Sequence, residues 1–111
     1  MIINILEKMV NLREKQDGKN YRNLTYILEE NLRGDYFNAS LEQIHKINTD
    51  LFYKIIEKIR IEIDCNLIIL KNTLNTNDYG SFKIMSQAHN CLKHIYEKLE
   101  TTKYIIYHTE K

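Results

Sequence analysis

The sequence contains no proline, no tryptophan and only three glycines among 111 residues. Without proline, the chain is punctuated only by glycines and by clusters of Asn and Asp. The three glycines stand far apart, so the chain has neither a P-loop nor a dinucleotide-binding fingerprint. The sequence therefore excludes the Gly-rich phosphate sites that many nucleotide-binding enzymes use.

Signals for disulfides, membranes and secretion are also scarce. The two cysteines, Cys65 and Cys91, are too few for the disulfide framework of a small secreted domain. No stretch approaches the roughly 18 uncharged apolar residues that a membrane-spanning helix needs. The first ten residues lack a basic segment, and Glu7 and Lys8 interrupt their apolar run, so they do not resemble a signal peptide. We expect a soluble, cytoplasmic protein with no membrane partner.

Charge of either sign is not concentrated in this chain. Its 16 Lys and Arg residues and 15 Asp and Glu residues leave a formal net charge of +1. The lysines are scattered, whereas nucleic-acid-binding proteins carry a basic stripe or patch. We therefore expect no nucleic-acid partner.

The abundant residues indicate both a core and an origin. The 17 Ile and 11 aromatic residues are enough to form a hydrophobic core, so disorder is not expected. The length fits one domain over residues 1–111. Ile, Asn, Lys and Tyr have AT-rich codons, whereas the two Ala, three Gly and absent Pro have GC-rich codons. This bias predicts an AT-rich genome, that of a bacterium, a phage or another mobile element.

Three polar clusters divide the chain into four segments: Gln16-Asp17-Gly18, Arg33-Gly34-Asp35 and residues 75–80. Within each segment, apolar residues recur at steps of three and four, which is typical of amphipathic helices. The pattern predicts an all-α, four-helix bundle-like domain. It consists of two short N-terminal helices, about 2–16 and 20–33, and a long antiparallel hairpin, about 40–74 and 81–107.

Capping residues support these boundaries. Asn20 can cap the second helix, Ser40 with Gln43 fits a capping box at the start of the third, and Asp78 or Ser81 can cap the fourth. Gly18 and Gly34 suit helix stops.

Three stretches leave alternatives open. Residues 59–63 alternate like a strand and residues 104–107 are rich in strand-forming types, although the helical stripe passes through both. Asp64-Cys65-Asn66 could kink or break the third helix, since these residues are middling helix formers.

The hairpin is longer than the helices that accompany it. Its third helix, if unbroken, would be about 50 Å long, whereas the first two are each about 21 Å. The short link over 34–39 places the second helix near the start of the third. The far end of the hairpin, about residues 63–92, is then left without cover; we call it the hairpin end.

The apolar residues of the hairpin end are the predicted partner-binding residues: Ile68, Ile69, Leu74, Tyr79, Phe82 and Met85. Exposing so much apolar surface would be unusual for a free monomer. Three explanations remain at this point. A segment folded back at residue 64 covers the hairpin end as core, a second copy covers it in a homodimer, or another protein binds it.

No pattern of residues predicts catalysis or metal binding. Cys91 and His94 lie three residues apart, but a structural zinc site needs four ligands at consistent spacing. The carboxylates lack the spacing of helical pyrophosphohydrolases, and no Arg has a His at the spacing found in small helical ribonucleases. We therefore expect no catalytic residue, no bound metal and no cofactor.

The sequence favours a non-catalytic protein–protein interaction module of the inhibitor, immunity, antitoxin or adaptor kind. Its expected partner is another protein or a second copy of the chain. The main alternative is a small-ligand or nucleotide-binding bundle, with Tyr21 and Arg22 at the mouth of an interhelical pocket. A helical nuclease is a weaker alternative. Small size, a single helical domain and the lack of a catalytic motif are the features that favour this function. Fold alone does not imply function.

Overall fold

A computed structural model describes residues 1–109, and every regular element in that range is a helix. In chain order these are α1 (Ile2–Glu14), α2 (Gly18–Tyr36), α3 (Leu41–Ile44), α4 (Thr49–Asn75) and α5 (Tyr79–Thr109). The predicted all-α class is confirmed. The two stretches with strand-like character, 59–63 and 104–107, are both helical.

The four longer helices form an elongated bundle. α4 and α5 are antiparallel, because a turn at 76–78 joins them and Lys103 Nζ lies 6.0 Å from the centre of the Tyr53 ring. α2 runs in the same direction as α5, since Arg22 near its start binds Gln87 and the Tyr36 carbonyl at its end accepts from Thr102. α1 is antiparallel to α2 and also lies beside α4.

The core lies along the bundle axis and draws on all five helices. Its largest fully buried side chains are Leu6, Met9, Tyr21, Leu28, Leu32, Phe52, Ile55, Ile59, Leu92, Ile95, Leu99 and Ile106. Their regular three- and four-residue spacing along each helix is what an amphipathic stripe against one core produces. The apolar periodicity locates the core correctly on α5. On α4 it does so only in part, because Leu51, Leu67 and Leu74 follow the same three- and four-residue steps and are exposed.

The predicted helix over 40–74 is divided, and this boundary was wrong. α3 is a single turn that starts with the expected capping box between Ser40 and Gln43. The chain then leaves the helix at 45–48 and restarts at α4, where the Asn48 side chain accepts from the Leu51 amide at 3.1 Å. The apolar stripe continues on both sides of the break, so periodicity alone did not reveal it.

The second helix also differs from the prediction. Asp17, not Asn20, caps α2, because its Oδ1 accepts the Asn20 amide at 3.3 Å. α2 continues through Gly34 as far as Tyr36, where Thr102 of α5 satisfies the last carbonyl and accepts from the Ala39 amide at 3.1 Å. α2 is therefore 19 residues long, about five residues longer than predicted.

The helix does not break at Asp64-Cys65-Asn66, which the sequence had left open, since α4 is continuous through these residues. Asp64 Oδ2 accepts from Arg60 one turn earlier at 3.1 Å, and the buried Asn66 amide group donates to Tyr21 of α2 at 2.9 Å. These bonds use the polar side chains that would otherwise compete with the helix backbone. No segment folds back at residue 64, so that explanation for covering the hairpin end is wrong.

The uncovered part of the hairpin is shorter than the predicted 63–92. The α1–α2 turn reaches Met85, because a Cβ built on Gly18 would lie 3.3 Å from Met85 Sδ. Met85, Ala88 and Leu92 of α5 are accordingly buried. What extends past the two short helices is the last part of α4 and the first part of α5. No helix within residues 1–109 is long and apolar enough to cross a membrane.

The Asn48 cap gives a test of the break between α3 and α4. Replacing Asn48 with Ala removes the acceptor for the Leu51 amide, so we expect the free energy of unfolding to fall by about 1 kcal/mol. Urea denaturation followed by circular dichroism measures this loss. Asn48→Asp is the matched control, because aspartate retains the acceptor, and it should keep the stability of the wild type. Equal losses in both variants would contradict a capping role.

Candidate functional site

The hairpin end carries four large apolar side chains that are exposed to solvent. Leu67, Ile68 and Leu74 of α4 are 46%, 62% and 51% exposed, and Tyr79 of α5 is 63% exposed. All four fall within a stretch of 13 residues around the turn between the two helices. Leu67 and Ile68 are exposed because they lie on the outward side of α4, opposite the buried Asn66, whereas Leu74 and Tyr79 lie past the ends of α1 and α2. This surface is the first candidate site.

The six predicted partner-binding residues are divided between surface and interior. Ile68, Leu74 and Tyr79 are exposed. Ile69 and Phe82 are half-buried, and Ile69 packs against the core. Met85 belongs to the core beneath Gly18. Their role in binding a partner remains a prediction.

Three further exposed apolar residues on α4 were absent from that set, Leu51, Ile61 and Leu67. An apolar residue is unexpected on the solvated face of a helix. Ile61 is out of phase with the predicted apolar stripe, whereas Leu67 lies four residues after Ile63 and three before Leu70, so spacing placed it in that stripe.

A cleft between the α1–α2 turn and the hairpin is the second candidate site. It has a volume of about 480 Å³. Tyr21 and Met85 contribute to its inner wall, whereas Asp17, Asn72 and Ser81 contribute polar atoms nearer the opening. Arg22, predicted at the mouth of a pocket, instead donates to Gln87 of α5 at 2.8 Å.

A buried polar network connects α1, α2 and α4 beside this cleft. Arg13 holds the Glu62 carboxylate with two bonds, Nε to Oε1 at 2.9 Å and Nη2 to Oε2 at 3.1 Å. The Tyr21 hydroxyl donates to Glu62 Oε1 at 3.0 Å, and Asn66 Nδ2 donates to the same hydroxyl oxygen at 2.9 Å. Sequence reasoning missed this network, because Arg13 and Tyr21 are more than 40 positions from Glu62, and because Arg13, Glu62 and Asn66 resemble solvated residues.

The electrostatics of the network favour binding and packing over proton transfer. Burial, together with the neighbouring Glu62 carboxylate, raises the pKa of Tyr21 far above its usual range. The hydrogen bond to Glu62 raises the pKa of Arg13. Tyr21 therefore stays a neutral donor at physiological pH, and Arg13 stays a cation.

The cysteines and histidines considered for metal binding have other contacts. Cys91 Sγ donates to the Thr25 carbonyl at 3.5 Å, and burial raises the pKa of this thiol, which disfavours the reactive thiolate. His94 Nε2 lies 3.8 Å from Glu29. Within residues 1–109, the structure brings no three His, Cys, Asp or Glu side chains into a metal-binding group.

The buried ion pair gives a prediction for stability. Replacing Arg13 with Ala leaves the Glu62 carboxylate buried without its counterion, so we expect a loss of about 3 kcal/mol in the free energy of unfolding. Chemical denaturation measures it. The double variant Arg13→Met with Glu62→Leu should lose less stability than Arg13→Ala, because two apolar side chains leave no buried charge without a counterion.

The matched control is Arg33→Ala, which removes an exposed pair with Glu29 on α2. Exposed pairs contribute at most about 1 kcal/mol, so this variant should remain close to the wild type. Equal effects of Arg13→Ala and Arg33→Ala would contradict the importance of the buried pair.

His89 gives a prediction for the dependence of stability on pH. It is buried on α5, its Nδ1 has no hydrogen-bond partner among the described residues, and burial and the charge of Lys93 lower its pKa below the ordinary 6.5. The folded state therefore favours the neutral ring, and unfolding takes up a proton at acidic pH. Stability should fall as the pH decreases from 7 to 5.

Thermal denaturation at pH 7 and pH 5 tests this statement. His89→Gln should show a smaller difference between the two pH values than the wild type, because the titrating group is gone. His45→Gln, at an exposed position between α3 and α4, serves as the control and should retain the wild-type difference. An unchanged difference in His89→Gln would show that other groups cause the acid sensitivity.

Comparison with known proteins adds no family to this description. The chain matches no protein-family model, no curated protein and no solved structure. Its function is therefore argued from the exposed hairpin end and from the cleft.

Proposed function

We propose that this chain is a non-catalytic protein-interaction module of the inhibitor, immunity, antitoxin or adaptor kind. The observation that carries the proposal is the concentration of Leu67, Ile68, Leu74 and Tyr79 at the exposed hairpin end. Contiguous apolar surface on a protein is typical of interaction sites, because leaving it in water is unfavourable.

Exposed apolar residues elsewhere form smaller groups. Tyr26 and Ile27 are neighbours on α2, Leu41 lies on the one-turn α3, and Tyr104 and Tyr107 lie one turn apart near the end of α5. Small groups of exposed apolar residues are ordinary on a protein surface. The hairpin end differs because four large apolar side chains lie within 13 positions on two adjoining helices.

The chemistry of the buried polar groups supports the non-catalytic part of the proposal. The network of Arg13, Glu62, Tyr21 and Asn66 satisfies its own charges, and Tyr21 and Cys91 both have raised pKa values. Catalytic acids and nucleophiles instead need pKa values close to the working pH.

The same proposal places the protein in the cytoplasm of an organism with an AT-rich genome, or in a phage or mobile element of such an organism. The two unpaired cysteines, Cys65 and Cys91, support a reducing compartment. The codon bias of the composition supports the origin.

The cleft supports a second candidate function, the binding of a small ligand. Its volume of about 480 Å³ is within the range of ligand pockets. Its lining combines apolar side chains such as Met85 with a larger number of polar ones such as Asp17 and Asn72. A ligand there would contact the Arg13 and Tyr21 side chains. Binding would raise the melting temperature by mass action.

Photo-crosslinking in the source organism tests the interaction function. A benzophenone amino acid in place of Ile68 should form a discrete adduct with one protein, because this side chain is the most exposed of the α4 apolar residues. The same probe in place of Ile27, 47% exposed on α2, is the control and should give no discrete adduct. The adduct is identified by mass spectrometry.

Two outcomes would contradict the interaction function. In one, neither position gives a discrete adduct. In the other, position 68 gives none while a metabolite stabilises the purified protein against heat. The second outcome would favour the ligand-binding cleft.

A further inference from the structure

The outer side of α4 carries a charge and apolar pattern that the bundle does not use. We call this surface the α4 outer face; it consists of six exposed side chains: Ile61, Asp64, Leu67, Ile68, Lys71 and Leu74. Four of them are apolar and the remaining two are charges of opposite sign. A face built only for solvation would not carry four large apolar side chains.

Helix geometry orders these residues into three lines. Successive residues are about 100° apart on an α-helix, so residues seven apart lie almost on one line along the axis. Asp64 and Lys71 form the middle line. Ile61 and Ile68 lie on one side of it, and Leu67 and Leu74 on the other.

We infer that the α4 outer face binds a second copy of this chain, with the two α4 helices antiparallel across a two-fold axis that passes between Leu67 and Ile68. This inference rests on the proposed interaction function and names the partner. The axis brings Leu67 opposite the partner's Leu67 and Ile68 opposite the partner's Ile68. The apolar residues nearest the axis are then covered.

The charges on the middle line fit the same axis. Positions 64 and 71 are each three and a half residues from the midpoint between 67 and 68. Asp64 of each copy therefore lies opposite the partner's Lys71, and the two-fold symmetry repeats this pair. Asp64 already accepts from Arg60 of its own chain at 3.1 Å, so each pair extends to three charges.

The alternative parallel arrangement has the opposite electrostatics. It would place Asp64 against the partner's Asp64 and Lys71 against the partner's Lys71, and like charges across an interface are strongly unfavourable. The pattern therefore selects one orientation. It is complementary to itself, which is what a two-fold contact between identical surfaces requires.

The overall charge does not oppose this association. A net charge of +1 produces little long-range repulsion between two copies. The contact extends over about four turns of α4, which is short for a stable interface, so the dimer should dissociate on dilution.

Exchanging the charges tests the inference. Asp64→Lys and Lys71→Asp each place like charges opposite each other at two symmetric positions. We expect each single variant to raise the dissociation constant of the dimer at least about tenfold. Sedimentation velocity over a dilution series measures it.

Two combinations should restore the dimer. The double variant D64K/K71D carries the same pairs with their signs exchanged. An equimolar mixture of the two single variants should form a mixed dimer, because one chain then presents two positive charges on the α4 outer face and the other presents two negative ones. A merely structural role for either residue would not produce this rescue.

Glu30→Lys is the matched control. It changes the net charge as Asp64→Lys does and removes an exposed pair with Arg33, but it lies on α2. Its dissociation constant should equal that of the wild type. Circular dichroism of all variants checks that the helices are retained. If either charge-reversal variant unfolds, the neutral variants Asp64→Asn and Lys71→Gln are measured in its place, and each should weaken the dimer.

The inference is overturned if the wild type is monomeric at every concentration, or if neither combination restores the dimer. Its failure can be distinguished from failure of the interaction function. If the wild type is monomeric and position 68 crosslinks to a different protein, the interaction function stands and the homodimer is overturned. If the wild type is monomeric and position 68 gives no discrete adduct, both proposals are overturned.

Discussion

The ion pair between Arg13 and Glu62 determines how far the two short helices reach along the hairpin. Arg13 lies in the last turn of α1 and Glu62 lies midway along α4, where its side chain is almost fully buried. A buried carboxylate is strongly destabilising without a partner, so α1 must end where its arginine can reach it. The α1–α2 turn follows directly and stops at Met85. Beyond that level Leu74 and Tyr79 are exposed, whereas Phe82 is half-buried.

The network around this ion pair also explains why the bundle adopts one arrangement. Tyr21 of α2 donates to the carboxylate and accepts from Asn66 of α4, whose own Oδ1 has no partner among the described residues. Sliding either helix by one turn would keep an apolar stripe against the core but would leave the carboxylate unpaired. The apolar contacts thus supply most of the stability, whereas the polar contacts select the register.

The sequence predicted much of the fold and part of the candidate site. Apolar periodicity located the helices and the core face of α5, and the Ser40–Gln43 capping box was confirmed. It misplaced part of the core face of α4, where Leu67 is exposed and Phe52 is buried. The break before Asn48 was missed, although Asn followed by Thr and Asp is a recognisable helix start, because the apolar stripe continued across it. Met85 was assigned to the hairpin end and lies in the core. Its burial depended on where the α1–α2 turn lies, because Gly18 at the start of α2 packs against Met85.

What the sequence by itself determined is therefore local: the helical class, the core face of α5, and a hairpin too long for its neighbours to cover. These follow from spacing and length, which any reader of the chain can measure. The tertiary structure decided where the cover stops, because that depends on the pairing of Arg13 with Glu62, 49 positions apart. It also decided which apolar residues remain on the surface. Exposure is a property of what packs nearby, and spacing along one helix does not contain that information.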